Sequence, residues 1–314
     1  MITNNHPADL PRDDCTVPPL PGVSHDKALS LAFQHHGRHW RNNAYCYPVV
    51  SRRSGGLSIG INLNPSKACN FNCIYCQVDR LTPPRVRKVH LPILKAELDH
   101  LLDAAIDQSL FADPPLDCLQ PGQRSIRDIA FSGDGEPTAY PRFGEAVQIA
   151  ADARQARDLR DTRLVLITDA CYLTKPKVRA ALRLLDENNG EIWAKLDAGT
   201  QAYYEKVNRS PLPLAHVLAN ILDTALVRPI VIQSLWMQIH GSPPPVEELQ
   251  AFAGRLKDIM AAGGKIKLVQ VYTVARQPAE TYVRPLSLQQ LHVVAAAIGT
   301  SLNVPLEIFP GVDA

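Results

Sequence analysis

Three cysteines stand within the stretch KACNFNCIYCQ, at Cys69, Cys73 and Cys76, separated by three residues and then by two. Thiols gathered this closely in a large chain more often hold a metal than a disulfide framework. Three is one short of the four that close a structural zinc site or an ordinary 4Fe-4S centre. A three-cysteine cluster leaves one iron open to chemistry. A zinc site completed by a distant residue such as Cys46, Cys118 or a histidine is the other reading of the same spacing. Asn70, Asn72 and Gln77 make the loop polar, which suits wrapping a ligand better than packing a core. A second segment, FSGDGEPT at 131–138, combines glycines that admit close backbone approach with Glu136, whose carboxylate suits an ammonium group. Pro137 stiffens that turn. In EIWAKLD, Lys195 and Asp197 alternate with Leu196, so both face one side of a strand. A lysine turned inward needs a carboxylate partner.

The chain that must position these residues has 314 residues, of which 46% are hydrophobic and 20% charged, with a formal charge of +2. That is ordinary for a globular protein, and a charge so near neutral does not argue by itself for nucleic acid or an acidic membrane surface. The N-terminal MITNNHPADLPRDD lacks the apolar core of a secretory signal. No apolar run reaches the roughly 18 residues of a membrane helix. These features lead us to expect a cytoplasmic protein without a membrane partner. The seven cysteines are odd in number and unevenly placed, a poor basis for disulfides. Residues 1–25 hold Pro7, Pro11, Pro18, Pro19 and Pro21 and read as a poorly ordered arm, leaving 26–314 as a single domain.

Short buried strands are predicted at 57–63, 126–131, 163–168, 191–196, 229–234 and 266–272, with VPLEIF at 304–309 as a candidate last strand. Helical periodicity follows each. In 92–111 it puts Leu94, Leu98, Leu101, Leu102 and Ala105 on one face, and further helices are predicted near 142–155, 175–186, 212–226, 246–261 and 287–299. Six βα units in succession predict a parallel sheet with helices outside, either open or curled into a barrel.

Cys69-x-x-x-Cys73-x-x-Cys76, with Tyr75 just before the last cysteine, resembles the signature of the radical S-adenosylmethionine (SAM) enzymes. The family carries the triplet in the loop after its first barrel strand, where the predicted strand GINLN runs into it here. GDGEPT resembles the family's Gly-Gly-Glu-Pro segment, with Asp134 standing where the first glycine is usual. The Lys195 region is similar to a branch containing the wyosine-forming tRNA enzymes and uncharacterised Fe-S oxidoreductases.

This resemblance covers roughly residues 57–275 and implies an α/β fold, a partial (β/α)6 TIM-type barrel with parallel strands. It implies that Cys69, Cys73 and Cys76 ligate three irons of a 4Fe-4S cluster and that SAM chelates the fourth. It further implies that Gly133, Asp134, Gly135, Glu136 and Pro137 surround the amino group of SAM, and that Tyr75 lies near the adenine. Thr168 and Asp169 would lie at the ribose, and Lys195 at the SAM carboxylate unless Asp197 takes it. Gln233 is a further candidate for the cavity wall. The implied activity is reductive cleavage of SAM to a 5′-deoxyadenosyl radical that abstracts hydrogen from a substrate, with an electron donor of flavodoxin or ferredoxin type.

The substrate is not legible. Arg80, Arg85, Arg87, Lys88 and His90 follow the cysteines and suit either an anionic substrate such as RNA or plain solvation, and Arg52 and Arg53 are candidates to extend them. Wyosine synthesis is not expected, because Cys15, Cys46, Cys118 and Cys171 show no spacing for a second cluster. The alternative from another class is a non-catalytic Fe-S or zinc module binding RNA or a protein, which leaves GDGEPT unexplained.

Overall fold

The computed structural model describes residues 40–112, 114–300 and 302–311; the arm expected over 1–25 lies outside them. Its strands are β1 (Cys46–Ser51), β2 (Gly56–Ile61), β3 (Ile126–Phe131), β4 (Arg163–Thr168), β5 (Gly190–Lys195), β6 (Ile230–Leu235), β7 (Gln238–Ile239), β8 (Ile266–Tyr272), β9 (Val283–Arg284) and β10 (Leu306–Phe309). The helices are α1 (Leu91–Ile106), α2 (Phe143–Gln155), α3 (Pro176–Asp186), α4 (Gln201–Asn208), α5 (Leu214–Val227), α6 (Val246–Ala261) and α7 (Leu288–Gly299).

Eight strands form one sheet in the order β1-β2-β3-β4-β5-β6-β8-β10, parallel throughout except where β1 runs antiparallel to β2. The sheet curls into a partial barrel, as expected. β7 and β9 make a separate two-stranded ribbon. Three features go beyond the sequence reading: β1, the ribbon, and α4 inserted before α5. β1 fits because Gly60 leaves room for Tyr47, whose ring lies where a Cβ on Gly60 would be.

Alternation along each strand separates two environments. Ile129 and Phe131 turn outward to the helices, where Phe131 meets Phe143 edge-on with ring centroids 5.6 Å apart. Ala130, Val165, Trp193 and Val231 turn inward and form a second, smaller apolar cluster. The inner layer packs only part of the barrel, and its Ala130 and Trp193 also line a cavity. Beside it Glu191 accepts from Trp193 Nε1 at 2.9 Å and pairs with Arg163 at 3.1 Å and with Lys267. The predicted apolar face of α1 is buried as read, with Leu94, Leu98, Leu101 and Leu102 shut off from solvent.

Candidate active site

The three cysteines occupy the loop between β2 and α1, and backbone hydrogen bonds hold that loop. Asn72 N and Ile74 N donate to the carbonyls of Asn208 and Val207 at 3.2 and 2.9 Å, and Ala279 N donates to the Cys76 carbonyl at 3.0 Å. Phe71 meets Tyr204 edge-on, centroids 5.8 Å apart. Each sulfur receives one N–H: Phe71 N to Cys69 at 3.5 Å, Asn208 Nδ2 to Cys73 at 3.7 Å, and an Arg80 guanidinium nitrogen to Cys76 at 3.7 Å. Such donors stabilise thiolates and tune the potential of a cluster they hold. Burial pushes the Cys69 thiol up, and pushes Cys73 up to about 12 although Lys195 pulls it down. Metal ligation is what would deprotonate them. Among the described residues no three His, Cys, Asp or Glu side chains converge as a single ion requires. A cuboidal cluster takes each thiolate on a separate iron, so its ligands need not share one point.

The glycine turn after β3 abuts this loop. A Cβ on Gly133 would overlap the Asn62 side chain, and one on Gly135 would overlap the carbonyl oxygen of Ala68, next to Cys69. Asn62 staples the two segments: its Nδ2 donates to Asp134 at 2.7 Å, and its Oδ1 accepts from Asp134 N at 3.2 Å and Asn64 N at 3.0 Å. Sequence reasoning missed Asn62, for which nothing beyond its place at the end of a strand was a signal.

Glu136 is committed inside the protein. Its Oε1 accepts from Thr138 N at 3.0 Å, from Thr168 Oγ1 at 2.8 Å and from the Thr138 hydroxyl, and its Oε2 accepts from Asp169 N at 2.7 Å. The carboxylate thus fastens the turn to the end of β4, and the Thr168 hydroxyl is engaged in the same contact. Asp169 keeps one buried oxygen, Oδ2, without a partner. Burial, reinforced by the Asp169 charge, pushes Glu136 up to about 8 against the pull of its donors. Asp169 is raised as well, chiefly by burial. A carboxyl whose folded pKa exceeds its unfolded value, here 4.5, binds more protons folded than unfolded between the two. Stability contributed by this site should therefore fall as pH rises from about 4.5 through about 8. Melting curves of the cofactor-free protein should show the wild type losing stability relative to Glu136→Gln across that window. Parallel curves would mean the carboxyl is ionised throughout.

Lys195 Nζ lies 2.9 Å from the Tyr272 hydroxyl, 3.5 Å from Asp197 Oδ2 and 4.9 Å from the centre of the Tyr75 ring. Burial opposes its charge, but Asp197 and Tyr272 outweigh burial and raise its pKa. Asp197 also accepts from Leu235 N at 2.9 Å, from Asn208 Nδ2 at 3.1 Å and from the Tyr75 hydroxyl. Tyr75 thereby ties the cysteine loop to β5. Gln233 Nε2 donates to Gln270 at 2.8 Å while its Oε1 has no partner.

One cavity of about 300 Å³ gathers these groups. Every residue named from sequence for the cluster or for SAM lines it except Pro137 and Asp197. The basic segment does not act as a unit: Arg80 folds back onto the Lys67 carbonyl and Cys76, while Arg87 and Lys88 line a separate hollow beside Asn70. Arg52 and Arg53 do not extend it. Arg52 donates to the Pro310 carbonyl, and Arg53 turns into the barrel. The residues fit a cluster and an amino-acid-bearing cofactor. Three thiols each have a donor, the glycine cradle has no room for a side chain, and Asn70 Nδ2, Asn208 Oδ1 and Asp169 Oδ2 are buried without partners.

A curled, mostly parallel sheet with this cysteine loop after its first parallel strand and this turn after the next has the fold of the radical SAM enzymes. No family model matches the chain. It is 27% identical over 218 residues to a UPF0026 protein of Helicobacter pylori, a match covering 68% of this chain and 62% of that one. Among solved structures it is similar to SuiB of Streptococcus suis bound to S-adenosylmethionine, at 12% identity and a TM-score of 0.54, covering 82% of this chain and 52% of that one. It is also similar to TYW1 with a lysine-pyruvate adduct, at 13% identity and a TM-score of 0.48, covering 80% and 74%. No helix among the described residues is long and apolar enough to cross a membrane.

Proposed function

We propose that this chain is a radical SAM enzyme acting on a substrate bound inside its partial barrel. The observation that carries the reading is the abutment of the cysteine loop and the glycine turn, through Gly135 and Ala68, over a cavity that also holds Lys195. When bound, a 4Fe-4S cluster and SAM supply a one-electron reductive cleavage that yields methionine and a 5′-deoxyadenosyl radical able to abstract hydrogen.

The protein's own residues bind and orient. Cys69, Cys73 and Cys76 would hold the cluster, and Arg80 and Asn208 donate to two of their sulfurs. The carbonyls of residues 133–135 and the unpartnered oxygen of Asp169, after β4, are offered to an ammonium group, while Glu136 keeps the glycine turn in shape. Lys195 presents a fixed cation to a carboxylate, held in place by Asp197 and Tyr272. Ala130 and Trp193 of the inner apolar cluster give part of the cavity wall an apolar lining. An external one-electron donor, of flavodoxin or ferredoxin type, completes the reading.

The test is anaerobic: reconstitute the full chain with iron and sulfide, reduce with dithionite, add SAM and measure 5′-deoxyadenosine by mass spectrometry. Formation of the nucleoside by the loaded protein is the expected result. Zinc at one per chain, with no iron-sulfur absorption after reconstitution, would overturn it in favour of a binding module.

A further inference from the structure

The turn between β1 and β2 delivers a cation to the interior of the barrel. The Arg53 guanidinium stands 5.6 Å from the centre of the Trp193 ring and 5.1 Å from that of Tyr272. Lys195 Nζ meets the same Tyr272 at its hydroxyl end, 2.9 Å from the oxygen and 5.5 Å from the ring centre. Arg53 is therefore separated from the cysteine end by Tyr272 and Lys195. Among the described residues its contacts are these ring faces, and no hydrogen bond or ion pair uses its donors.

Asp128, on β3, lines the same cavity and is 1% exposed. Its Oδ1 accepts from the Ser58 hydroxyl, while Oδ2 is buried without a partner. Burial raises the Asp128 pKa, and Ser54, Ser58, Arg163 and Arg53 pull it back. The Ser54 hydroxyl is near enough to favour the charge without making a hydrogen bond to Oδ2. A buried acceptor left unsatisfied is costly unless a ligand completes it. Arg53 is within Coulombic reach of Asp128 and yet forms no ion pair with it. Arg53 with unused guanidinium donors and Asp128 with an unpartnered carboxylate oxygen both line one cavity, a pair complementary to a ligand that carries an anion and a donor.

We propose that this end of the cavity is a substrate subsite for a free α-amino acid, its carboxylate on the Arg53 guanidinium and its ammonium on Asp128 Oδ2. A guanidinium takes a carboxylate through two parallel hydrogen bonds, and the Trp193 and Tyr272 rings hold its plane. Gln233, a further lining residue whose Oε1 is unpartnered, is available to the amino-acid side chain. Calling this ligand the substrate rests on the radical SAM reading; the subsite itself does not.

The experiment is saturation-transfer NMR on the full chain, with and without its cluster, against the twenty common L-amino acids and, for each binder, its carboxamide. At least one free amino acid should bind, and its carboxamide should bind more weakly. Arg53→Met and Asp128→Asn should each weaken binding by about tenfold or more, the usual worth of a hydrogen bond to a charged group. Arg53→Met keeps the apolar stem, so its melting temperature should stay near that of the wild type. The proposal is overturned if no amino acid binds, if the carboxamide binds as well as the acid, or if Arg53→Met binds as the wild type does. It is also overturned if Arg53→Met weakens SAM as much as the amino acid, because the subsite would then belong to the methionine head of SAM. Binding without any SAM cleavage would sink the enzyme reading and leave the subsite. Cleavage without binding would do the reverse.

Discussion

Cys73→Ala should lose the iron-sulfur centre and all SAM cleavage while the barrel melts within a few degrees of the wild type. The thiol is a small part of what holds its loop. Ile74 is 1% exposed and donates its N–H to Val207, and Phe71 packs against Tyr204. None of these contacts passes through Cys73 Sγ, whose hydrogen-bond partner is the Asn208 amide. Removing one sulfur from this half-buried position costs about 1 kcal/mol of packing, which in a chain of this size moves the melting temperature by only a few degrees. A cluster held by the triplet, by contrast, loses one of three protein ligands. Iron and sulfide analysis with visible absorption reads the first effect, and 5′-deoxyadenosine the second. A full cluster spectrum in Cys73→Ala would mean the triplet is not the ligand set.

Gly135→Ala should be nearly as severe for a different reason. Its new methyl group would collide with a backbone carbonyl, that of Ala68, which has no rotamer with which to yield. The turn or the cysteine loop must move, at a cost of about 1–3 kcal/mol. A displacement near 1 Å between groups that must act together costs about 100-fold in rate. We expect SAM cleavage to fall by about that factor, with iron retained in part. Gly254→Ala is the control: it lies inside α6 with open space at its Cβ position, so it should gain about 0.5–1 kcal/mol and cleave SAM normally. Wild-type cleavage by Gly135→Ala would remove the abutment as the basis of the site.

Much of this arrangement was legible because it is local. Short buried apolar runs placed β3, β4 and β8 to the residue, and the cysteine loop and glycine turn fell at strand ends where a parallel barrel collects its ligands. β1 was missed because CYPVVS contains a proline and precedes the βα repeat, and an antiparallel edge has no signal within that repeat. α4 was hidden inside a segment read for its lysine and aspartate, although Thr200 caps it by accepting from Tyr203 N at 3.2 Å. Asn62 on Asp134, Glu136 on Thr168 and Asp169, and Arg53 inside the barrel all depend on which strands become neighbours. Residue spacing cannot supply that.

The barrel is open, so both ends of its sheet carry backbone groups that another chain could pair with. At one end β1 holds Pro48 in its middle, opposite Ile59 of β2. A proline has no N–H to offer an incoming strand, so the edge is interrupted at its centre. At the other end β10 is four residues long and stands between Pro305 and Pro310. Short edges broken or bracketed by proline are poor templates for strand addition. The gap between β1 and β10 is thus kept from serving as a seam along which copies of the chain zip together and aggregate.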